Sequence, residues 1–259
     1  MTADLDLLKA VVREAGARAQ ALLEAGLTID HKPGGSPVTN ADLAIDDFLK
    51  DRLLGARPDY GWLSEETPDN PDRLSKHLVF LSDPIDGTTA YLKHREWWSI
   101  CAAVVENGRP VCGVVFAPAL DQFYEAAAGQ GARLNGGPIR VSARAGIEGC
   151  AMLGDAKMFA HPAWPVAWPP MDIVARNSIA LRMSLVASGD FDACLAPSPK
   201  HEWDLAAADL IVTEAGGRVT DHMGRTFTYN RPVPQQRSLV CAGEPLHSLL
   251  LQRLGHIQD

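Results

Sequence analysis

The first hydrophobic positions, Leu5, Leu8, Val12, Ala15, Ala19 and Leu22, recur at three- and four-residue steps and stop before Gly26. That spacing predicts an amphipathic helix over 5–23. A polar, glycine-rich stretch from His31 to Pro37 then leads to Thr39, and Ile45, Phe48, Leu49 and Leu53 mark the buried side of a second helix ending at Gly55. Short β-type runs follow at 61–63, 78–82, 98–105, 111–116, 122–127 and 139–142, with Asn107-Gly108 as a hairpin turn. Two helices followed by a run of antiparallel strands predict an α+β arrangement. Residues 158–170 hold four prolines with Trp164 and Trp168 and break every period, so they read as a loop. Beyond it strands and helices alternate. A helix through Ile179, Met183 and Val186 stops at Gly189, and a strand covers 192–196. Two more helices cover 205–215 and 246–254, closed by Gly216-Gly217 and Gly255. Two halves, 1–145 and 146–259, are expected to form one compact unit.

Composition narrows the classes. With 46% hydrophobic and 22% charged residues the chain is globular rather than disordered. Lys and Arg number 24 against 32 Asp and Glu, a net charge of −8, which offers no basic field to a nucleic-acid polymer or an anionic membrane. The longest nearly apolar stretch, Val111 to Leu120, falls well short of the ~20 residues that cross a bilayer. Acids stand near the N-terminus where a secretory signal would carry Lys or Arg, so a cytoplasmic location is expected. Cys101, Cys112, Cys150, Cys194 and Cys241 are odd in number and widely spaced, and they read as reduced core residues.

The candidate chemistry is carboxylate chemistry. Three acidic clusters stand beside strand ends or helix starts: Ser64-Glu65-Glu66-Thr67, Asp83-Pro84-Ile85-Asp86-Gly87-Thr88-Thr89, and Trp203-Asp204-Leu205. In the middle one, Pro84 cannot donate a ladder hydrogen bond, so Asp83 is expected at the end of a strand, with Asp86 facing the same point. Gly87 permits close backbone approach, and Thr88 can open a helix whose free N–H groups favour a phosphate. Facing carboxylates stay ionised only when cations neutralise them, and an all-oxygen donor set suits Mg²⁺ or Mn²⁺ rather than zinc. No two histidines pair as HxxxH; His77, His94, His161, His201 and His222 read as surface or loop residues, with His201 close to Asp204. Taken singly, each cluster also has a plain reading, as a solvated turn, an ordinary β-turn or a charge at a helix N-terminus.

Together the three motifs resemble the inositol monophosphatase superfamily of Mg²⁺-dependent, lithium-sensitive phosphatases. They run Leu-Ser-Glu-Glu (63–66), Asp-Pro-Ile-Asp-Gly-Thr-Thr (83–89) and Trp-Asp-Leu-Ala-Ala-Ala-Asp-Leu-Ile-Val-Thr-Glu-Ala-Gly-Gly (203–217). The likeness spans nearly the whole chain, including Pro37-Val-Thr-Asn-Ala-Asp42 and the run from Leu185 to Gly189. It implies a layered αβαβα, sugar-phosphatase-like fold, with an antiparallel sheet in the first half, a mixed sheet in the second and a substrate cleft between. By the same resemblance Glu65, Asp83 and the Ile85 carbonyl match one metal site, and Asp83, Asp86 and Asp204 a second. A weaker third ion would sit near Glu65. Gly87 and Thr88 match the phosphate-binding N–H groups, and Asp42 with Thr88 matches a pair that orients or deprotonates the attacking water. Glu65, Asp42 and Thr88 are thus the catalytic candidates. The implied reaction is in-line attack of cation-activated water on phosphorus, without a covalent enzyme intermediate. Such enzymes often form homodimers. A non-catalytic relative would be expected to have lost a metal carboxylate, and none is missing.

The substrate class is a small soluble phosphate ester. In the inositol-selective branch a Glu usually stands seven residues before the third-motif Asp; here that position is Pro197. Arg176, Arg182, Lys200 and His201 instead place cations in the second half, as a second phosphate on the substrate would favour. This looks more like the CysQ-type 3'(2'),5'-bisphosphate nucleotidases, with inositol phosphates, histidinol phosphate and sugar phosphates as alternatives. The plain reading of the four bases is solubilising surface charge. Asp42 has a second reading too, because Thr39 followed three residues later by an acid has the form of a capping box.

Overall fold

The protein is described by a computed structural model covering residues 2–32 and 34–257. Helix α1 (Thr2–Ala25) buries Leu8, Val11, Val12, Ala15 and Ala19. It ends where Gly26 takes φ +98°, a left-handed conformation that suits glycine. A small hairpin, β1 (Ile29–His31) and β2 (Pro37–Thr39), leads into α2 (Asn40–Ala56), which the Thr39 hydroxyl caps by accepting from the N–H groups of Ala41 and Asp42. Next come β3 (Gly61–Ser64), β4 (Leu78–Asp86), a short α3 (Thr88–Leu92), β5 (Ser99–Glu106), β6 (Arg109–Ala117), β7 (Gln122–Ala127), β8 (Ala132–Leu134) and β9 (Gly137–Pro138). These seven strands form one sheet in chain order, antiparallel throughout except for the β3–β4 pair. Asn107 and Gly108 join β5 to β6 with φ of 50° and 76°, the positive values a primed hairpin turn requires.

The second half contributes β10 (Ala151–Leu153), α4 (Ala156–Phe159), β11 (Asp172–Val174), α5 (Ile179–Ala187), β12 (Ala193–Ala196), β13 (Lys200–His201) and α6 (Glu202–Glu214). It finishes with β14 (Arg218–Thr220), β15 (Gln235–Gln236), β16 (Leu239–Ala242) and α7 (Leu246–Leu254). The second sheet runs β11-β10-β12-β16-β14 and is mixed, since β10 is parallel to both neighbours while β16 is antiparallel to β12 and β14. Helices α1 and α2 cover the outer face of the first sheet with Leu8, Val12, Ile45 and Leu49. Helices α5 and α6 fill the layer between the sheets through Leu181, Met183, Leu205 and Ile211. Leu246 and Leu250 of α7 pack with Phe159 on the far face of the second sheet. The order of layers is therefore helix, sheet, helix, sheet, helix, and all five cysteines are free and buried within it.

Three local expectations need correction. Strand β4 does not end before Asp83 but continues to Asp86, and it skips one residue of register between the Asp83↔Cys101 and Asp86↔Ser99 pairs. Pro84 has no N–H for the ladder, so it bulges the strand instead of stopping it. Residues 139–142 are not a strand. The Ile139 N–H bonds Ala132 O and the Val141 N–H bonds Ala215 O, while Val141 wedges its side chain between Gly217 and Gly243. Finally, Met158 and Phe159 complete α4, so the proline-rich loop begins only after them.

Candidate active site

The bulge in β4 brings its two acids to the same end of the sheet. Asp83 is buried and its Oδ1 accepts the Ile85 N–H at 2.9 Å, which fixes the turn that presents the Ile85 carbonyl. That carbonyl lies 3.2 Å from Thr88 Oγ1 and is one of two acceptors, with Asp42 Oδ1, within reach of the single hydroxyl proton. Asp86 Oδ2 accepts from Ser178 Oγ at 2.6 Å and from the Ala180 N–H at 2.7 Å, so the start of α5 is pinned to the end of β4. Gly87 then takes φ +96°, and a Cβ on it would come within 3.0 Å of Ser178 N and Trp97 O. Only glycine fits, and the first N–H groups of α3 follow directly.

Glu65 and Glu66 follow β3, the strand parallel to β4. Lys32, from the β1–β2 hairpin, places its ammonium 2.7 Å from an oxygen of each. Asp204 lies in the first turn of α6, because that helix starts three residues earlier than its apolar periodicity predicts. Burial raises the pKa of Asp83 and Asp204 well above the ordinary carboxylate value, and repulsion among Glu65, Asp83, Asp86 and Asp204 raises both further. Asp86 is pushed up to about 6 by burial against the opposing Ser178 and Ala180 hydrogen bonds. Asp83 and Asp204 stand close enough for each to influence the other's ionisation.

Among the described residues no three His, Cys, Asp or Glu side chains enclose an ion as they stand. Lys32 neutralises Glu65 and Glu66, Asp86 is turned into α5, and Asp83 Oδ1 accepts the Ile85 N–H. The donor chemistry nevertheless fits divalent cations. Buried carboxylates that repel one another gain from a hard cation the neutralisation that raised pKa values and a single lysine otherwise supply.

Asp42 uses one oxygen for Thr39 and the other for Thr88. Its Oδ2 accepts the Thr39 N–H at 2.8 Å and the Thr39 hydroxyl at 2.6 Å, completing the capping box. Its Oδ1 accepts the Thr88 hydroxyl at 3.1 Å. Burial raises its pKa, opposed by the hydrogen bonds from Thr39 and Thr88.

The four bases divide. Arg182 on α5 is close enough to favour ionisation of Asp86, and Lys200 does the same for Asp204. Lys200 is anchored on Ser198 Oγ at 2.7 Å and its pKa is lowered, chiefly by burial. His201 stacks flat on Trp203 with centroids 4.3 Å apart; burial is the largest influence on its lowered pKa, and Glu65 is the opposing charge. Arg176 lies apart, with its guanidinium 3.5 Å from the Trp97 ring centroid and Glu96 as its charged neighbour. Lys32 and Ser178 bond the candidate acids, although the pattern of acids did not single them out. Lys32 lies in a glycine-rich loop whose fold a linear pattern does not fix, and Ser178 is legible only as a helix cap.

Fold and site together define a phosphoric monoester hydrolase. The chain belongs to the inositol monophosphatase family, whose model matches residues 3–259 and whose members depend on a metal ion, typically Mg²⁺. It is 30% identical over 233 residues to the 3'(2'),5'-bisphosphate nucleotidase CysQ of Aggregatibacter actinomycetemcomitans, covering 85% of each chain. It is 32% identical over 239 residues to a histidinol-phosphatase of Mycobacterium tuberculosis, covering 88% of each. The solved structure of an IMPase from Thermotoga maritima superposes with a TM-score of 0.83 at 28% identity, over 97% of this chain and 95% of that one.

Proposed function

We propose that this phosphatase removes the 3'-phosphate of a small bisphosphorylated nucleotide, 3'-phosphoadenosine 5'-phosphate being the expected substrate. The observation that carries the reading is the cationic rim of Arg182, Lys200 and His201 around the carboxylates, where the residue seven before Asp204 is Pro197. Arg182 carries a planar guanidinium fork that can pair two oxygens of a second phosphate. Relatives named as bisphosphate nucleotidase and histidinol-phosphatase are similarly close, so the chemistry of the rim carries the choice.

In this reading Glu65, Asp83, the Ile85 carbonyl, Asp86 and Asp204 hold two to three Mg²⁺, with Mn²⁺ as a substitute. When bound, the ions supply positive charge to the attacking and leaving oxygens. The Gly87 and Thr88 N–H groups hold the phosphoryl oxygens at the start of α3. Thr88 Oγ1 donates its proton toward Asp42 Oδ1, which leaves its lone pairs free to take a proton from the attacking water. Asp42, whose raised pKa makes it a better base than an exposed carboxylate, receives the relayed proton. Arg182 and Lys200 bind the second phosphate.

The test is phosphate release with Mg²⁺ from 3'-phosphoadenosine 5'-phosphate, inositol 1-phosphate and histidinol phosphate. The highest kcat/KM is expected for the bisphosphate, with Arg182→Ala raising KM for it by about tenfold or more and leaving the monophosphates nearly unchanged. A clear preference for either monophosphate would overturn the substrate and leave the reaction class standing.

A further inference from the structure

Asp46 lies one helical turn beyond Asp42 on α2 and is 3% exposed. Its two oxygens each take one hydroxyl: Oδ1 accepts from Ser64 Oγ, and Oδ2 accepts from Thr67 Oγ1 at 2.5 Å. These two residues bracket Glu65 and Glu66. Because both hydroxyl protons point at Asp46, the hydroxyl lone pairs point the other way, toward further donors. Ser64 Oγ accepts the Glu66 N–H at 3.5 Å, and Thr67 Oγ1 accepts the Trp62 indole N–H at 3.2 Å. One buried carboxylate therefore sets the direction of the bonds at both ends of the acidic turn. Lys32 bonds the side chains of both Glu65 and Glu66 and reaches them from a separate hairpin.

We propose that Asp46 is a positioning residue that holds the Glu65–Glu66 turn in the geometry needed for a divalent cation at Glu65. The proposal rests on Glu65 being a metal ligand. A buried carboxylate is a costly way to fill space, and an apolar side chain of similar volume would serve packing as well. What the carboxylate adds is two acceptor atoms in a fixed relation, the service that partners of metal ligands commonly perform and whose loss typically lowers metal affinity 10- to 100-fold. A role in packing alone would lower stability and leave metal affinity unchanged.

Binding of Mn²⁺ to the full chain, followed by the electron paramagnetic resonance of the free ion, separates these roles. Asp46→Ala and Thr67→Val should each weaken Mn²⁺ binding by about tenfold or more. Asp46→Asn, which can accept one hydroxyl and not both, should fall between them and the wild type. In the same variants the Mg²⁺ concentration for half-maximal activity should rise by the same factor, while kcat at saturating Mg²⁺ recovers to within a few-fold. Thr67→Val removes one hydroxyl and carries the test even where Asp46→Ala does not fold. Unchanged Mn²⁺ affinity in folded Asp46→Ala or Thr67→Val, with Glu65→Gln weakening it, would overturn the positioning role alone. Unchanged affinity in Glu65→Gln would overturn the ligand reading and this inference with it.

Discussion

The two oxygens of Asp42 face different groups, and that asymmetry decides what a substitution does. An Asn there must keep its oxygen toward the Thr39 N–H, because an amide NH₂ would meet a donor. Its NH₂ then faces Thr88 Oγ1, which has to accept instead of donate. The cap survives, so Asp42→Asn should cost about 1 kcal/mol or less. In the proposed relay Thr88 would then spend a lone pair on the amide and could turn its proton only to the Ile85 carbonyl, so the path to Asp42 is lost. Turnover should fall by about 100-fold or more, and Thr88→Ala should give a similar loss that does not add to it in the double variant. Steady-state kinetics with thermal melting checks both halves, and near-normal kcat in Asp42→Asn would leave the residue as a cap only.

At the scale of elements, α6 is set by one close approach. A Cβ on Gly113 of β6 would lie 2.8 Å from the Ala207 Cα, a backbone atom that cannot swing aside. Gly113→Ala should therefore push α6 outward and cost on the order of 1–3 kcal/mol. Since Asp204 sits one turn before Ala207, kcat should drop more than about tenfold in protein that is still folded. A lowered Tm with unchanged kcat would show that α6 does not set the site. The long elements were legible in advance because each repeats its period several times; α1, α2, β5 to β7 and α7 fall within a few residues of their predicted spans. Strands β10, β11, β14 and β16 have three or four residues each, too few for alternation to show. The segment around Val141 misled because a β-branched residue wedged between two glycines carries the composition of a strand without a partner. The acids of the site were legible as motifs. Their bonding was not, since Lys32 and Ser178 reach them from 33 and 92 residues away, and Asp46 reaches the neighbouring Ser64 from 18.

Across the whole molecule, the raised carboxylate pKa values tie stability to pH. Asp86 holds its proton up to about pH 6 in the folded chain against an ordinary value of 3.8, and Asp83 and Asp204 are shifted in the same direction. The folded state thus binds more protons than the unfolded one above pH 3.8, so stability is fully present below that pH and is lost as pH rises through 6 and beyond. Glu66 and Glu202, both near 7, and Asp209, near 6, act in the same sense. The buried imidazole of His247, pushed down to about 4 from 6.5, acts the other way only below its ordinary value, so without metal Tm should fall between pH 6.5 and pH 8. Mg²⁺ competes with the protons at the cluster, so the rise in Tm that it produces should be larger at pH 8 than at pH 5. An equal rise at both would place its binding away from these carboxylates.

No helix among the described residues is long and apolar enough to cross a membrane, and family members act on small phosphate esters. If the carboxylates at the end of β4 and the start of α6 hold the ions that make hydrolysis possible, phosphate release from the best ester of the substrate panel should follow Mg²⁺ concentration in the wild type and fail in Asp204→Asn. Saturable dependence on Mg²⁺, complete loss with a chelator, recovery on readdition, and a fall of about 100-fold or more in Asp204→Asn are expected. Turnover that survives chelation, or an Asp204→Asn variant with wild-type rate and Mg²⁺ dependence, would contradict that placement of the ions.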